Sequence, residues 1–239
     1  MDRNQKILLL IISVLIVISG IIGFLAFKNE KDKPKIKTNE FKEEYEKLNG
    51  VVNDYGYTYP TVEVDADYKI VYASEEDVLD ILKKGNGVIY FGFPTCPWCR
   101  NMIKPLISAA DSNGLEEIYY LNIMDIRDSL SVNDSGDIVT DKEGSKNYKK
   151  ILKELDSILD TYYVKDAMGN DVSTNEKRLY APTVIAVKKG KVVAHHVGTV
   201  ASQTDPYTEL TKEQQEELYS IFSDLISKVS KKTCDKKGC

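Results

Sequence analysis

The sequence predicts an α/β protein: a mixed β-sheet flanked by helices, with a helical insertion, carried behind an N-terminal transmembrane helix. Three observations predict it. Residues 7–27 are 21 residues without a charge (ILLLIISVLIVISGIIGFLAF), enough to cross a hydrocarbon core of roughly 30 Å as a helix. Beyond residue 40, short apolar runs alternate with amphipathic stretches in the order β-α-β-α-β, the pattern of helices packed on both faces of a sheet. A further helix, a hairpin and a last helix complete the order.

After a short tail, residues 1–6, comes the span. A cleaved signal peptide would have an apolar stretch of about 7–15 residues and a small-x-small site. This stretch is longer, and its end, Phe24-Leu25-Ala26-Phe27-Lys28, has no such site and no cysteine for a lipid. An uncleaved anchor is expected. Arg3 and Lys6 precede it, while Lys28, Lys31, Lys33, Lys35 and Lys37 follow it. Counted mechanically, that balance keeps the C-terminal part in the cytoplasm. A long folded domain, however, crosses largely regardless of charge, and paired cysteines suit an oxidising exterior. The expected localisation is the cell membrane, single-pass, with the domain extracytoplasmic.

Residues 28–39 (KNEKDKPKIKTN) are charged and without an apolar period, so they read as a linker. Residues 40–230 make the domain. Its first helix sets Phe41, Tyr45 and Leu48 on one side. Alternation in Thr61-Val62-Glu63-Val64 and Tyr68-Lys69-Ile70-Val71-Tyr72 predicts strands. Ser74, with Asp77 three residues on, starts a helix with Val78, Leu79, Ile81 and Leu82 as its apolar face, ended by Gly85-Asn86-Gly87. Val88-Ile89-Tyr90-Phe91 reads as a central buried strand. A helix then runs to Asn113-Gly114, and Ile118 to Met124 reads as another buried strand.

The insertion covers about 125–180. Residues 130–144 are polar and read as a loop. Between Ser145 and Tyr163, residues Ile151, Leu152, Leu155, Ile158, Leu159 and Tyr162 recur at helical spacing, and Met168-Gly169-Asn170 reads as a turn. Either this insertion is a structural cap on the sheet or it is a lid that selects substrates. Thr183 to Val187 and Lys191 to Ala194 flank Lys188-Lys189-Gly190 as a hairpin. Thr211 with Gln214 begins the last helix, and residues 231–239 form a cysteine-containing tail.

Composition excludes some classes. The 239 residues are 42% hydrophobic and 29% charged with a net charge of −5. That suits a sizeable core and argues against a nucleic-acid partner, which calls for clustered cations. No internal repeat and no phosphate-cradling glycine loop is present. The four cysteines fall in two pairs, Cys96/Cys99 and Cys234/Cys239.

The chemistry rests on "FGFPTCPWCRNMIKPL", Phe91 to Leu106. Disulfide exchange needs one exposed, acidic thiol and a second within reach to resolve the mixed disulfide. Cys96 at the opening of a helix meets the first demand, because unpaired N–H groups there stabilise an anion. Pro97 sits where its missing N–H costs nothing. Cys99, one turn down, is less exposed and reaches Cys96. Arg100 and Lys104 are expected to add positive potential.

With these residues in hand, the chain resembles the thioredoxin-like superfamily. The likeness rests on strand-Cys96-Pro97-Trp98-Cys99-helix, on Ala181-Pro182-Thr183 entering a strand, and on the hairpin and final helix, and it covers roughly residues 61–230. It implies that Pro182 is a cis-proline beside the cysteines and that Ala181 docks an extended substrate chain by its backbone. It also implies a redox-active disulfide between Cys96 and Cys99, with no metal or organic cofactor. The anchored form is similar to membrane-bound thiol-disulfide oxidoreductases of Gram-positive bacteria, including bacteriocin transport accessory proteins. Three departures stand out: Tyr90 replaces the acidic group many thioredoxins carry in this strand, Pro-Trp replaces Gly-Pro, and the insertion is long.

The cysteine pairs also admit other readings. Cys96-x2-Cys99 and Cys234-x4-Cys239 together supply four thiols for a zinc site, though far apart in sequence. A purely structural Cys96–Cys99 disulfide would stabilise little, because its loop is short. Cys234 and Cys239 form a small tail disulfide, stay as exposed thiols without a role, or act as a second redox pair feeding the first. His195 and His196 point to opposite faces of their strand. Trp98 either packs against substrate or sits on a rim. The expected function is a membrane-anchored thiol-disulfide oxidoreductase acting on protein thiols or disulfides with a partner redox protein. The alternative is a redox-inactive adaptor that binds partners at the membrane.

Overall fold

In the computed structural model, the structure describes residues 38–65 and 70–230, and the side chains from residue 40 onward. The expected span at 7–27, most of the linker, and the tail with Cys234 and Cys239 lie outside the described residues. Among those described, no helix is long and apolar enough to cross a membrane.

Helix α1, Thr38–Glu46, begins inside the expected linker and buries Phe41 and Tyr45. Strand β1 is Ile70–Tyr72 and helix α2 is Glu75–Lys84. The Ser74 hydroxyl accepts from the Asp77 amide while the Asp77 carboxylate accepts from the Ser74 amide, satisfying two of the free donors of the helix start. Strand β2, Gly87–Gly92, feeds helix α3, Pro97–Ser112, and strand β3 is Ile118–Asn122. The insertion holds β4, Ser129–Val132, β5, Ile138–Lys142, α4, Lys146–Glu154, β6, Asp160–Lys165, and β7, Asp171–Arg178. Strands β8, Thr183–Lys188, and β9, Lys191–Val197, form the expected hairpin, and α5 is Lys212–Ser227.

The central sheet has the order β1-β3-β2-β8-β9. Its first three strands are parallel, and β8 and β9 are antiparallel to their neighbours. The sheet is therefore mixed. The β1-α2-β2 and β2-α3-β3 crossovers run in opposite directions along it, and right-handed connections then put α2 and α3 on opposite faces. The register aligns Tyr72, Tyr120, Tyr90, Val184 and His196 on one face. Phe41 and Tyr45 of α1 and Phe222 of α5 lie on that row: Phe41 meets Tyr120 edge-on at 5.0 Å, and Phe222 meets His196 at 5.7 Å. On the other face, α2 buries Val78, Leu79, Ile81 and Leu82.

Three expectations need correction. Residues 130–144 are a β-hairpin, β4 with β5, and not a loop; its alternation is masked by Ser, Thr and Asp on half-exposed strands. The helix expected over Ser145–Tyr163 ends at Glu154, passes through a short 3₁₀ turn at Asp156–Ile158, and gives way to β6. Leu155 and Leu159 are buried as the spacing requires, yet pairing with β7 claims the backbone from Asp160 onward. No strand forms at Thr61–Val64 either. Val62 and Val64 are buried, but their main chain bonds to α1 and the turn after it instead of to a strand. The Val62 amide donates to Asn49 Oδ1 at 2.9 Å, and the Val64 amide donates to Glu46 Oε1 at 2.9 Å. Side chains here replace a ladder partner.

A candidate thiol pair at the tip of helix α3

Cys96 is the N-cap of α3, with φ −86° and ψ 114°. The cap position follows from the local sequence, since Pro97 fixes the first helical φ and Cys96 must stay extended before it. The Cys96 sulfur accepts from the Cys99 amide at 3.3 Å. Its thiol lies 3.5 Å from the Ala181 carbonyl oxygen, and the Ala181–Pro182 peptide bond is cis. Ala181, Pro182, Cys96 and Cys99 thus converge at one end of the sheet. Both cysteines are free thiols here.

Their surroundings differ in sign. A hydrogen bond from Cys99 holds the Cys96 thiol below the ordinary cysteine range, against the opposing effect of burial. The Cys99 and Trp98 amides and the Arg127 guanidinium add to the lowering. Burial pushes Cys99 well above that range, with the hydrogen bond to Cys96 and the Cys96 charge adding to it. The two thiols are thus shifted in opposite directions, Cys96 downward and Cys99 upward.

Two expectations about this site are corrected. Cys96 is only 6% exposed, because Ala181 and the turn before α3 cover it; just a small part of it faces solvent. Arg100 does not supply the positive potential. It is 1% exposed and donates to the Pro60 and Tyr45 carbonyls at 2.6 and 2.8 Å and to Asn49 Oδ1 at 2.6 Å, so it ties α3 to the segment after α1. The charge that acts on Cys96 is Arg127, from the start of the insertion, whose guanidinium sits 4.8 Å from the Phe93 ring centre. Nothing local in Asp125-Ile126-Arg127-Asp128 marks it, since contact between residues 93 and 127 depends on the tertiary fold.

No family model matches this chain. No curated protein matches it either.

Beside the thiols, Trp98, Tyr180, Ala181, His196, Gly198 and Thr199 line a cleft of about 510 Å³. Trp98 is half-buried on the apolar core and also faces this space. His196 bonds through Nε2 to the Thr199 carbonyl at 2.9 Å, and burial holds its pKa below the usual histidine value. The Gly198 amide donates to the Pro182 carbonyl at 2.8 Å, tying the cleft wall to the cis-proline. Among the described residues no cluster of His, Cys, Asp and Glu is placed to hold a metal ion. The second cysteine pair of the zinc reading lies outside them.

Proposed function

We propose that this chain is a thiol-disulfide oxidoreductase of thioredoxin-like fold, anchored in the membrane through residues 7–27, with its catalytic domain outside. The observation that carries the reading is the position of Cys96: it caps a helix, is biased toward the thiolate, and lies against the carbonyl before a cis-proline. The order of the central sheet and the strand-Cys-x-x-Cys-helix connection are further support.

In the reductive direction, the Cys96 thiolate attacks a substrate disulfide, forms a mixed disulfide and releases one substrate sulfur as a thiolate. Cys99 then attacks the Cys96 sulfur. A Cys96–Cys99 disulfide forms, and the second substrate sulfur leaves with the proton. The oxidative direction reverses these steps. An extended protein segment would pair with the backbone at Ala181 and rest against Trp98 in the cleft. A partner redox protein restores the pair, and no metal or organic cofactor is required.

The test uses the full-length chain in mild detergent, with Cys234 and Cys239 replaced by Ser and Cys99→Ser added. Incubation with a disulfide-linked peptide should trap a covalent adduct through Cys96, which reductant releases. Absence of any adduct with peptide, oxidised glutathione or an aromatic disulfide would leave the adaptor reading standing. Turnover unchanged by the two tail replacements alone would remove the idea of a second redox pair.

A further inference from the structure

Six lysines gather at the end of the central sheet opposite the thiols. Lys83 and Lys84 close α2, Lys188, Lys189 and Lys191 make the tip of the β8–β9 hairpin, and Lys228 caps α5; all six are exposed. Direct bonds join these elements. The Gly190 amide donates to the Gly85 carbonyl at 2.9 Å, and the Lys189 amide donates to Asn86 Oδ1 at 2.9 Å. A Cβ at Gly190 would fall on the Lys83 carbonyl, so the hairpin tip and the helix end touch through their backbones. The Lys188 ammonium donates to the Lys228 carbonyl at 3.4 Å. Register fixes which end this is. Gly87 pairs with Val187 beside the lysines, while Phe91 pairs with Thr183 on the side of Cys96 and Ala181. At about 3.3 Å per residue, β2 separates the two ends by roughly 17 Å.

Most of this charge is uncompensated. Lys228 pairs with Asp224 at 2.8 Å, but Lys83, Lys84, Lys189 and Lys191 make no ion pair with a described residue. Glu116 and Glu117 lie at the same end, just before β3, and leave a positive excess around the hairpin tip. That excess stands in a chain whose net charge is −5, and Lys231 and Lys232 follow next in sequence. The turn itself favours other residues. Lys189 has φ 51° and Gly190 φ 73°, a two-residue hairpin turn that prefers Asn or Gly at its first position. Lysine there costs the hairpin some stability and sets a charge at its outermost point. Ammonium groups are compact point charges without the planar fork of arginine, so this end suits a diffuse anionic surface better than one tightly read anion.

We propose that this lysine pole docks on anionic lipid headgroups and turns the thiol end of the domain away from the bilayer. This rests on the anchoring reading above. Residues 28–37, between the expected span and α1, number ten and reach at most about 35 Å, which keeps a lipid surface within range. Each lysine within a Debye length of such a surface, about 8 Å at physiological salt, favours the docked state by about fivefold, and several compound. With the lysines on the headgroups, Cys96 and the cleft at Trp98 stay open to protein segments from the other side.

The experiment places the natural full-length chain in nanodiscs of phosphatidylcholine alone or mixed with phosphatidylglycerol. Amine acylation is then followed residue by residue with peptide mass spectrometry. Lys83, Lys84, Lys189 and Lys191 should react about fivefold or more slowly in the anionic discs, and high salt should restore their rates. Lys165 and Lys212, exposed elsewhere on the domain, should change by less than about twofold. Alkylation of Cys96 by iodoacetamide should also stay within about twofold. Replacing Lys83, Lys84, Lys189 and Lys191 together by Gln should abolish the protection of Lys188 and Lys228. Should that variant fail to fold, the natural chain in the two lipids decides alone. Equal acylation in both discs, or equal slowing of Lys165 and Lys212, overturns the docking surface and leaves the anchoring reading intact. Slowing of Cys96 alongside the lysines overturns the orientation. A chain that enters discs of neither composition overturns the anchoring reading and the docking with it.

Discussion

The Cys96 sulfur lies 3.5 Å from the carbonyl oxygen of Ala181, across 85 positions of sequence. The sheet explains the approach. Strands β2 and β8 are antiparallel neighbours with Phe91 opposite Thr183, so the exit of one and the entrance of the other share an edge. Cys96 follows that exit and Ala181 precedes that entrance, and the two loops meet above the strand ends.

The opposite shifts of the two thiols predict ordered reactivity. Iodoacetamide at neutral pH should modify Cys96 well before Cys99, and the pH midpoint for Cys96 should lie below that of an ordinary cysteine. Peptide mass spectrometry over a time course separates the two sites. Equal rates, or Cys99 reacting first, would contradict the asymmetry.

Arg127 gives a second prediction. Replacing it with Gln removes the guanidinium that favours the Cys96 thiolate and should slow alkylation of Cys96 at neutral pH by about two- to fivefold, the scale of a partly screened charge. Arg127→Lys should retain most of the rate. A thermal midpoint unchanged in both variants shows that the effect is electrostatic and not a loss of fold.

Arg100 should matter for stability and not for charge at the thiols. Its guanidinium satisfies three main-chain carbonyls, those of Pro60, Tyr45 and Pro94, and Asn49 Oδ1. Arg100→Met leaves the buried Pro60 and Pro94 carbonyls without this donor and takes one of two donors from the Tyr45 carbonyl and Asn49 Oδ1, at a cost of about 3 kcal/mol or more. Urea denaturation measures it, while the pH midpoint of Cys96 alkylation should stay where it was.

His196 predicts a specific acid sensitivity. Burial depresses its folded-state pKa, opposed in part by the Thr199 carbonyl. The unfolded chain then binds the proton more readily, so this contribution is complete above the ordinary histidine range near about 6.5 and is lost as pH falls below it. The thermal midpoint should fall from pH 7.5 to 5.5 more steeply in the natural chain than in His196→Phe. Parallel slopes would dissociate His196 from the effect.

Several features of this fold were legible in the linear pattern. The capped helices at Ser74 and Thr211 carry their own start signals, with side chains three residues apart that close on each other's amides. Val88 to Phe91 declares a central strand because both of its faces must be apolar. Residues 155–163 misled for an equally physical reason. Leu155 and Leu159 satisfy helical spacing, but the backbone from Asp160 pairs with β7, a partner that local periodicity cannot encode. Val62 and Val64 alternate as a strand does, and their hydrogen bonds nevertheless go to Asn49 and Glu46.

By itself the sequence determined the local conformation that presents Cys96 and Cys99. Proline after the first cysteine suits the first helical position, so Cys96 caps the helix and Cys99 follows within its first turn. The tertiary structure decided their environment: Ala181 over Cys96, and Arg127 and not Arg100 as the nearby charge. The reason is range. Propensity, capping and spacing act over a few residues, whereas burial and electrostatics depend on which distant segments a sheet register brings into contact.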